Sequence, residues 1–271
     1  LMTEIFDAVL DNSFLQRALL AGLLASFACG VTGSYVVVKR MSFISGGIAH
    51  GVLGGMGIAY FLGGNPLLGA IPAALLFGLL IGIITLQETS YQDTVIGAIW
   101  AIGMAIGIIF IYKTPGYAAN LFSYLFGNIL MVAWPDIWML LLLNAIIVTV
   151  VILFYKGLLA VCFDAEFARV QGIGVTSLYL LLLSLVALTV VVLVKVVGII
   201  LVIALLTLPA SIARQWVEGI RMMMLIASIA SLLFIVTGIV VSYPYDLPVG
   251  ATVVLVTGVF FLLSTAVKAI R

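Results

Sequence analysis

Charge is what this sequence lacks most. Only 8% of its residues are Asp, Glu, Lys or Arg, while 65% are hydrophobic; a soluble domain carries about 25% charged residues. That shortage excludes a water-soluble globule of 271 residues and points to a polytopic membrane protein. The 11 basic and 10 acidic residues nearly cancel and gather between apolar runs, so no basic patch for nucleic acid forms. There are two cysteines, Cys29 and Cys162. They lie far apart in apolar surroundings, without CxxC or other metal-ligand spacing, and read as packing residues. No GxxxxGK[ST] nucleotide-binding loop occurs. One histidine, no HExxH and no helical Asp pair argue against an intramembrane enzyme. None of the acids lies clearly mid-span, which leaves a secondary carrier without an ion-coupling relay. The start, LMTEIFDAVLDNS, is acidic where a secretory signal begins basic, so the first apolar run is expected to stay as a membrane helix.

What is present is a series of apolar runs of about 17–25 residues, long enough to cross hydrocarbon. They are Phe14–Val38, Ile44–Leu62, Leu67–Leu86, Thr94–Tyr112, Trp134–Tyr155, Val175–Val194, Val196–Ala213, Met222–Val241 and Val249–Val267. Ser13 is the expected N-cap of the first, and Lys195 the expected break between the sixth and seventh. Ala119–Met131 is too short and interrupted to span and reads as a re-entrant or interfacial helix lining a cavity. The fold class predicted is an all-α polytopic helix bundle of about nine spans, one domain over residues 1–271. Alternate breaks collect Lys39, Arg40, Lys156, Arg169, Arg214, Arg221, Lys268 and Arg271 on one side. Arg17, Lys113 and Lys195 fall on the other. Basic residues favour the cytoplasm, which places the N-terminus outside and the C-terminus in the cytoplasm.

The single histidine, His50, stands in MSFISGGIAHGVLGGMGIAYFL. Gly47, Gly51 and Gly55 recur every fourth residue, a face on which another helix backbone can approach closely. Gly46, His50 and Gly54 form the next row. A helix packed tightly on two sides lies inside a bundle. A buried imidazole there is either an interhelical hydrogen bond or a functional group. A neutral ring offers a lone pair to a cation.

A second distinctive stretch is FDAEFARVQGIG, Phe163–Gly174, on the side rich in Lys and Arg. Asp164 can cap a helix whose first turn carries Glu166, with both acids at the positive helix end. Phe163 sits where a hydrophobic staple would, and Gly172 and Gly174 end the turn. This is a short amphipathic helix at the membrane face. Either it packs on the underside of its own bundle, or it offers Phe167 and Val170 to a partner.

The run Phe163-Asp-Ala-Glu-Phe-Ala168, followed by Gly172 and Gly174, Val197-Gly-Ile-Ile-Leu-Val202 and Ala204-Leu-Leu-Thr-Leu-Pro-Ala210, resembles the ABC-3 family of permeases. Those permeases serve ABC importers for zinc, manganese and iron. His50 in its glycine-rich helix, Asp93 with Gly97, Phe126-Gly127 and Pro248-Val-Gly-Ala251 match the same pattern in order, across nearly the whole chain. The resemblance implies a homodimeric permease that moves a divalent metal ion and holds no permanent cofactor. It implies that Phe163, Asp164, Glu166, Phe167, Ala168 and Gly172 form a coupling helix docked on an ATP-hydrolysing subunit. An extracytoplasmic metal-binding protein would deliver the ion.

The family pattern has an Asp four residues before the histidine; here that position is Gly46. Imidazole suits zinc better than manganese, which prefers oxygen donors, so the missing acid tilts the expected cargo toward zinc. Gly46, Asn120, Asn128 and Asp246 are the pathway candidates. Asp246 attracts a cation at the mouth or merely caps the helix before Pro248. Asn144 is expected to make an interhelical hydrogen bond, and Lys195 to snorkel at the outer interface. Met104 and Met222–Met224 read as packing. The alternatives are a permease for a larger chelate, such as a siderophore or cobalamin, and a secondary carrier.

Overall fold

The computed structural model describes residues 12–87, 91–115 and 125–270. Among them the chain is all-α, without a strand. Its helices are α1 (Ser13–Val38), α2 (Ser42–Phe61), α3 (Pro66–Thr85), α4 (Gln92–Lys113) and α5 (Trp134–Phe163). Then come α6 (Ala165–Val170), α7 (Val175–Val197), α8 (Val202–Trp216), α9 (Ile220–Tyr245) and α10 (Val249–Ile270). Short 3-10 turns at Ile129–Met131 and Ile199–Leu201 precede α5 and α8. Nine of these elements are long and apolar enough to cross a bilayer, α8 doing so with its 3-10 turn as Ile199–Trp216. Their outward faces carry Leu142, Ile152, Leu153, Leu255 and Leu262, all well exposed. Lipid, not water, is the solvent that suits such a surface.

The spans fall where the apolar runs put them, with shifts that have local causes. The carbonyl of Asn12, not Ser13, receives the first bonds of α1, from the N–H groups of Leu15 and Gln16 at 3.1 and 3.3 Å. That makes Asn12 the N-cap. Asn65 caps α3, its Oδ1 accepting from Leu67 N–H at 3.0 Å, with Pro66 as the first helical residue. α5 runs on past Tyr155 to Phe163. Lys156 ends the apolar run but is itself a good helix former, and the helix stops only at the Asp164 cap. Lys195 likewise lies within α7, and the break comes at Gly198 with φ +82.

Contacts gather into two units. The first takes the described parts of Tyr35–Leu121 and Ile147–Val191. In it α2 packs against both α3 and α4. A Cβ on Gly51 would come within 2.9 Å of the Phe77 ring on α3, and one on Gly55 would collide with Gly69 and Ala73. On the next face, a Cβ on Gly54 would lie 3.0 Å from Gly103 O, and one on Gly103 2.7 Å from Gly51 Cα. Gly57 and Gly107 meet in the same way one turn on. The glycine rows of α2 therefore face two neighbours, as their spacing predicts.

The second unit takes the described parts of Leu1–Ser34, Phe122–Ile146 and Val192–Arg271. Here α8, α9 and α10 pack on one another. Gly127 (φ +75) and Gly198 (φ +82) cross backbone to backbone, and a Cβ on either would collide with the other's segment. Gly250 closes the crossing, its Cα side facing the carbonyls of Phe126 and Val197. Three of the sequence motifs, Phe126-Gly127, Val197-Gly198 and Pro248-Val-Gly-Ala251, thus meet at one point where side chains have no room.

Candidate metal site and coupling helix

His50 lies in the middle of α2 and is 8% exposed. Its ring stacks on the indole of Trp100, with centroids 4.1 Å apart and planes 11° from parallel. Trp100 is itself oriented. Its Nε1–H donates to Met104 Sδ at 2.9 Å, one turn along α4, and Phe43 tilts against it at 6.4 Å. The stack sits one turn from the Gly54–Gly103 contact, so the same close approach that needs glycines brings the two rings together. His50 Nδ1 is buried and has no hydrogen-bond partner. Such a nitrogen is costly in apolar surroundings and is free to accept a cation.

The rest of the donor set is thin. Gly46 is buried one turn before His50 and offers no side-chain ligand. Among the described residues, no group of three or more His, Cys, Asp or Glu comes together to hold a metal. The nearby cavity between α2, α3 and α4, about 470 Å³, is bounded by Gly54, Ala59, Gly69, Ala73 and Phe77 among others. Its apolar walls offer a hydrated cation nothing.

The other pathway candidates scatter. Asn120 lies outside the described residues, as does most of the short segment before Leu125. Asn128 is half-buried and precedes the 3-10 turn without capping it. Asp246 is exposed and ends α9 in the left-handed region, φ +49. There the hydroxyl of Ser242 donates to the Leu247 carbonyl. Asp246 therefore ends the helix before α10 instead of capping the one that begins at Val249.

Two readings of polar residues need correction. Asn144 Nδ2 donates to Leu140 O of its own helix at 2.9 Å, and its Oδ1 has no partner. The bond is intrahelical, because a carbonyl one turn back is the nearest acceptor on an apolar helix. Lys195 does not snorkel to an exposed end. It pairs with Asp136 at 3.0 Å, both side chains largely covered, and Asp136 also accepts from Ala133 N–H at 3.0 Å. Cys29 and Cys162 are free and buried, in keeping with a packing role.

The amphipathic helix forms as its local signals predict, though shorter. α6 spans Ala165–Val170, and Phe163 closes α5. Asp164 Oδ1 caps it by accepting from Phe167 N–H at 2.9 Å. Gly172 (φ +78) ends it, with Ile173 N–H reaching back to Ala168 O at 3.0 Å. Ala168 is fully buried, while Phe163, Glu166, Phe167 and Val170 are exposed. One side seats the helix and the other presents Phe167 and Val170, with Phe163 exposed just before it at the end of α5.

The ABC 3 transport family pattern matches residues 11–268. The chain belongs to the ABC 3 transport family. It is 43% identical to an uncharacterised membrane protein of Synechocystis, covering 98% of this chain and 95% of that one. It is 34% identical to the manganese transport system membrane protein MntC of Halalkalibacterium halodurans, over 97% of this chain and 90% of the relative. Among solved structures it superposes on PsaBC from Streptococcus pneumoniae, determined with a Fab. The TM-score is 0.89 at 30% identity, over 97% and 95% of the two chains. Within this ABC 3 chain, the sequence singled out His50 and the short helix α6 and read Met104 as packing, but it gave no signal for Trp100 or Asp136. The glycines at 103 and 107 were the available signal for α4 as the partner of α2. They repeat the small-residue spacing seen around His50.

Proposed function

We propose that this chain is the membrane-spanning permease subunit of an ATP-driven importer for divalent first-row metal ions, residues 1–271 forming one permease domain. The observation that carries the reading is His50, a buried imidazole with an unpartnered nitrogen in a chain of this family. One imidazole holds a divalent ion weakly. That suits a conduit, where the ion must bind well enough to enter and loosely enough to leave. A homodimer would bring a second imidazole by symmetry. The N-terminus faces outside and the C-terminus the cytoplasm, a reading supported by the bias of Lys and Arg. A separate ABC ATPase docks on α6, whose exposed Phe167 and Val170 favour such a contact, and an extracytoplasmic metal-binding protein supplies the ion.

Manganese is the first reading for the cargo, from the name of the Halalkalibacterium relative. Zinc is the second, because the donor on α2 is nitrogen and Gly46 supplies no oxygen. The test is uptake of radiolabelled manganese by vesicles holding the permease, its ATPase and its binding protein, with zinc and ferrous iron as competitors. Manganese uptake resisted by excess zinc supports the first reading, and its suppression by equimolar zinc the second. ATP-dependent uptake of none of the three overturns the proposal.

A further inference from the structure

α5 is 30 residues long and carries no basic residue in its last turn. Its final carbonyls, like those of any helix, lack partners within the helix. Ala160 O finds Asp164 N–H at 2.9 Å. Val161 O is satisfied from far away, by the ammonium of Lys39 at 2.9 Å, 122 residues distant in sequence. Val161 is buried and Lys39 half-buried. A cation therefore sits on the negative end of the α5 dipole, three residues before the cap of α6.

Lys39 belongs to the two-sided elbow between α1 and α2. Arg40 takes the left-handed conformation, φ +57, and Met41 N–H returns to Val36 O at 2.9 Å. Met41 is 2% exposed, and its carbonyl accepts from Ser45 N–H inside α2 at 3.0 Å. The elbow has no slack between Lys39 and the first turn of α2. His50 follows eight residues after Ser42, about 12 Å along a helix that rises about 1.5 Å per residue.

We infer that Lys39 is a positioning residue that ties the ATPase-docking helix to the metal-ligand helix. Resting on the proposed function, it makes displacement of α6 and the end of α5 pull on α2, and so on His50. A hydrogen bond from a charged donor is stronger than a neutral one, and here it links the end of α5 directly to the elbow. Local capping of α5 would have needed only a basic residue in its own last turn. The ammonium comes instead from the residue that leads into the His50 helix.

The experiment measures metal uptake and ATP hydrolysis on the same vesicles holding the permease with its ATPase and binding protein. Lys39→Met keeps the apolar stem and removes the donor. The expected result is retained ATPase association and hydrolysis with ions moved per ATP reduced about tenfold, as loss of one charge-assisted bond implies. Lys39→Arg, which still donates to a carbonyl, is expected to restore the ratio to within about twofold. An unchanged ratio in Lys39→Met overturns the inference, and so does a loss that Lys39→Arg fails to restore. Should Lys39→Met not accumulate, Lys39→Gln, an uncharged donor, is expected to give an intermediate ratio. A ratio equal to wild type there overturns the inference equally. Wild-type vesicles that hydrolyse ATP and move no metal would instead overturn the proposed function.

Discussion

Removing Trp100 should loosen the imidazole without unfolding the bundle. The indole covers one face of His50 at 4.1 Å and nearly parallel, and its own direction is set by the bond to Met104. A stacked aromatic pair contributes about 0.5–1.5 kcal/mol beyond the area it buries. Spread over the rotamers a freed histidine can adopt, that is about a two- to twelvefold loss in the fraction of rings held in place. Trp100 is only half-buried, so the full cost of about 3–5 kcal/mol for deleting a buried aromatic does not apply. Trp100→Ala should therefore accumulate normally and raise the KM for metal uptake by that factor, leaving the rate at saturating metal near wild type. Trp100→Phe keeps a stacking ring and loses only the N–H to sulfur contact; its KM should stay within about twofold of wild type. The assay is initial uptake against metal concentration in reconstituted vesicles. An unchanged KM in Trp100→Ala, where His50→Ala does impair uptake, would show that the stack is packing and does not aim the ligand.

Other outcomes are expected of the same system. His50→Ala should abolish or sharply slow metal uptake while the ATPase partner still co-purifies; zinc and manganese transport at wild-type rates would make His50 a packing residue. Gly46→Asp adds a hard oxygen one turn from the imidazole, and isothermal titration should find tighter binding with a shift toward manganese over zinc. Phe167→Asp places a charge on the exposed face of α6 and should weaken ATPase co-purification without lowering the permease's melting temperature. Gly103→Val forces a side chain against Gly51, and overpacking of this kind costs about 1–3 kcal/mol. Its melting temperature in detergent should fall, where Gly97→Ala, with open space around it, should be silent.

Local signals in the sequence were legible and distant ones were not. The nine spans follow from run length, because hydrocarbon thickness fixes how many apolar residues a helix needs. The Asp164 cap was equally readable, since the cap and the N–H that donates to it lie three residues apart. Hydropathy misplaced the end of α5 and the break at Lys195 because it measures burial, while a helix ends where its backbone bonds end. Gly198, with its positive φ, stops α7. Lys195 looked like an interfacial charge, and nothing in its neighbourhood announces that it pairs with Asp136. The same holds for Trp100 beside His50 and for Lys39 on Val161, contacts made by residues 50 and 122 positions apart. The glycines came closest to announcing a long-range contact, since a small-residue row implies a partner without naming it.

Packing and ligand orientation are one property in the α2–α4 pair. A ring stack at 4.1 Å requires the two helix axes to be close, and ordinary side chains one turn away would hold them apart. Gly54 and Gly103 remove that obstacle, with Gly57 and Gly107 repeating it below. The indole then restricts the imidazole from one face and leaves its plane, and hence its lone-pair direction, fixed by the helices. With Gly46 supplying no carboxylate, this is the way the chain has to orient a single nitrogen donor without a hydrogen bond to Nδ1. A slide of α4 along α2 would carry Trp100 off His50, and it would also drive side chains into the close Gly54–Gly103 and Gly57–Gly107 contacts. The ring stack and the close glycine contacts are therefore held or lost together.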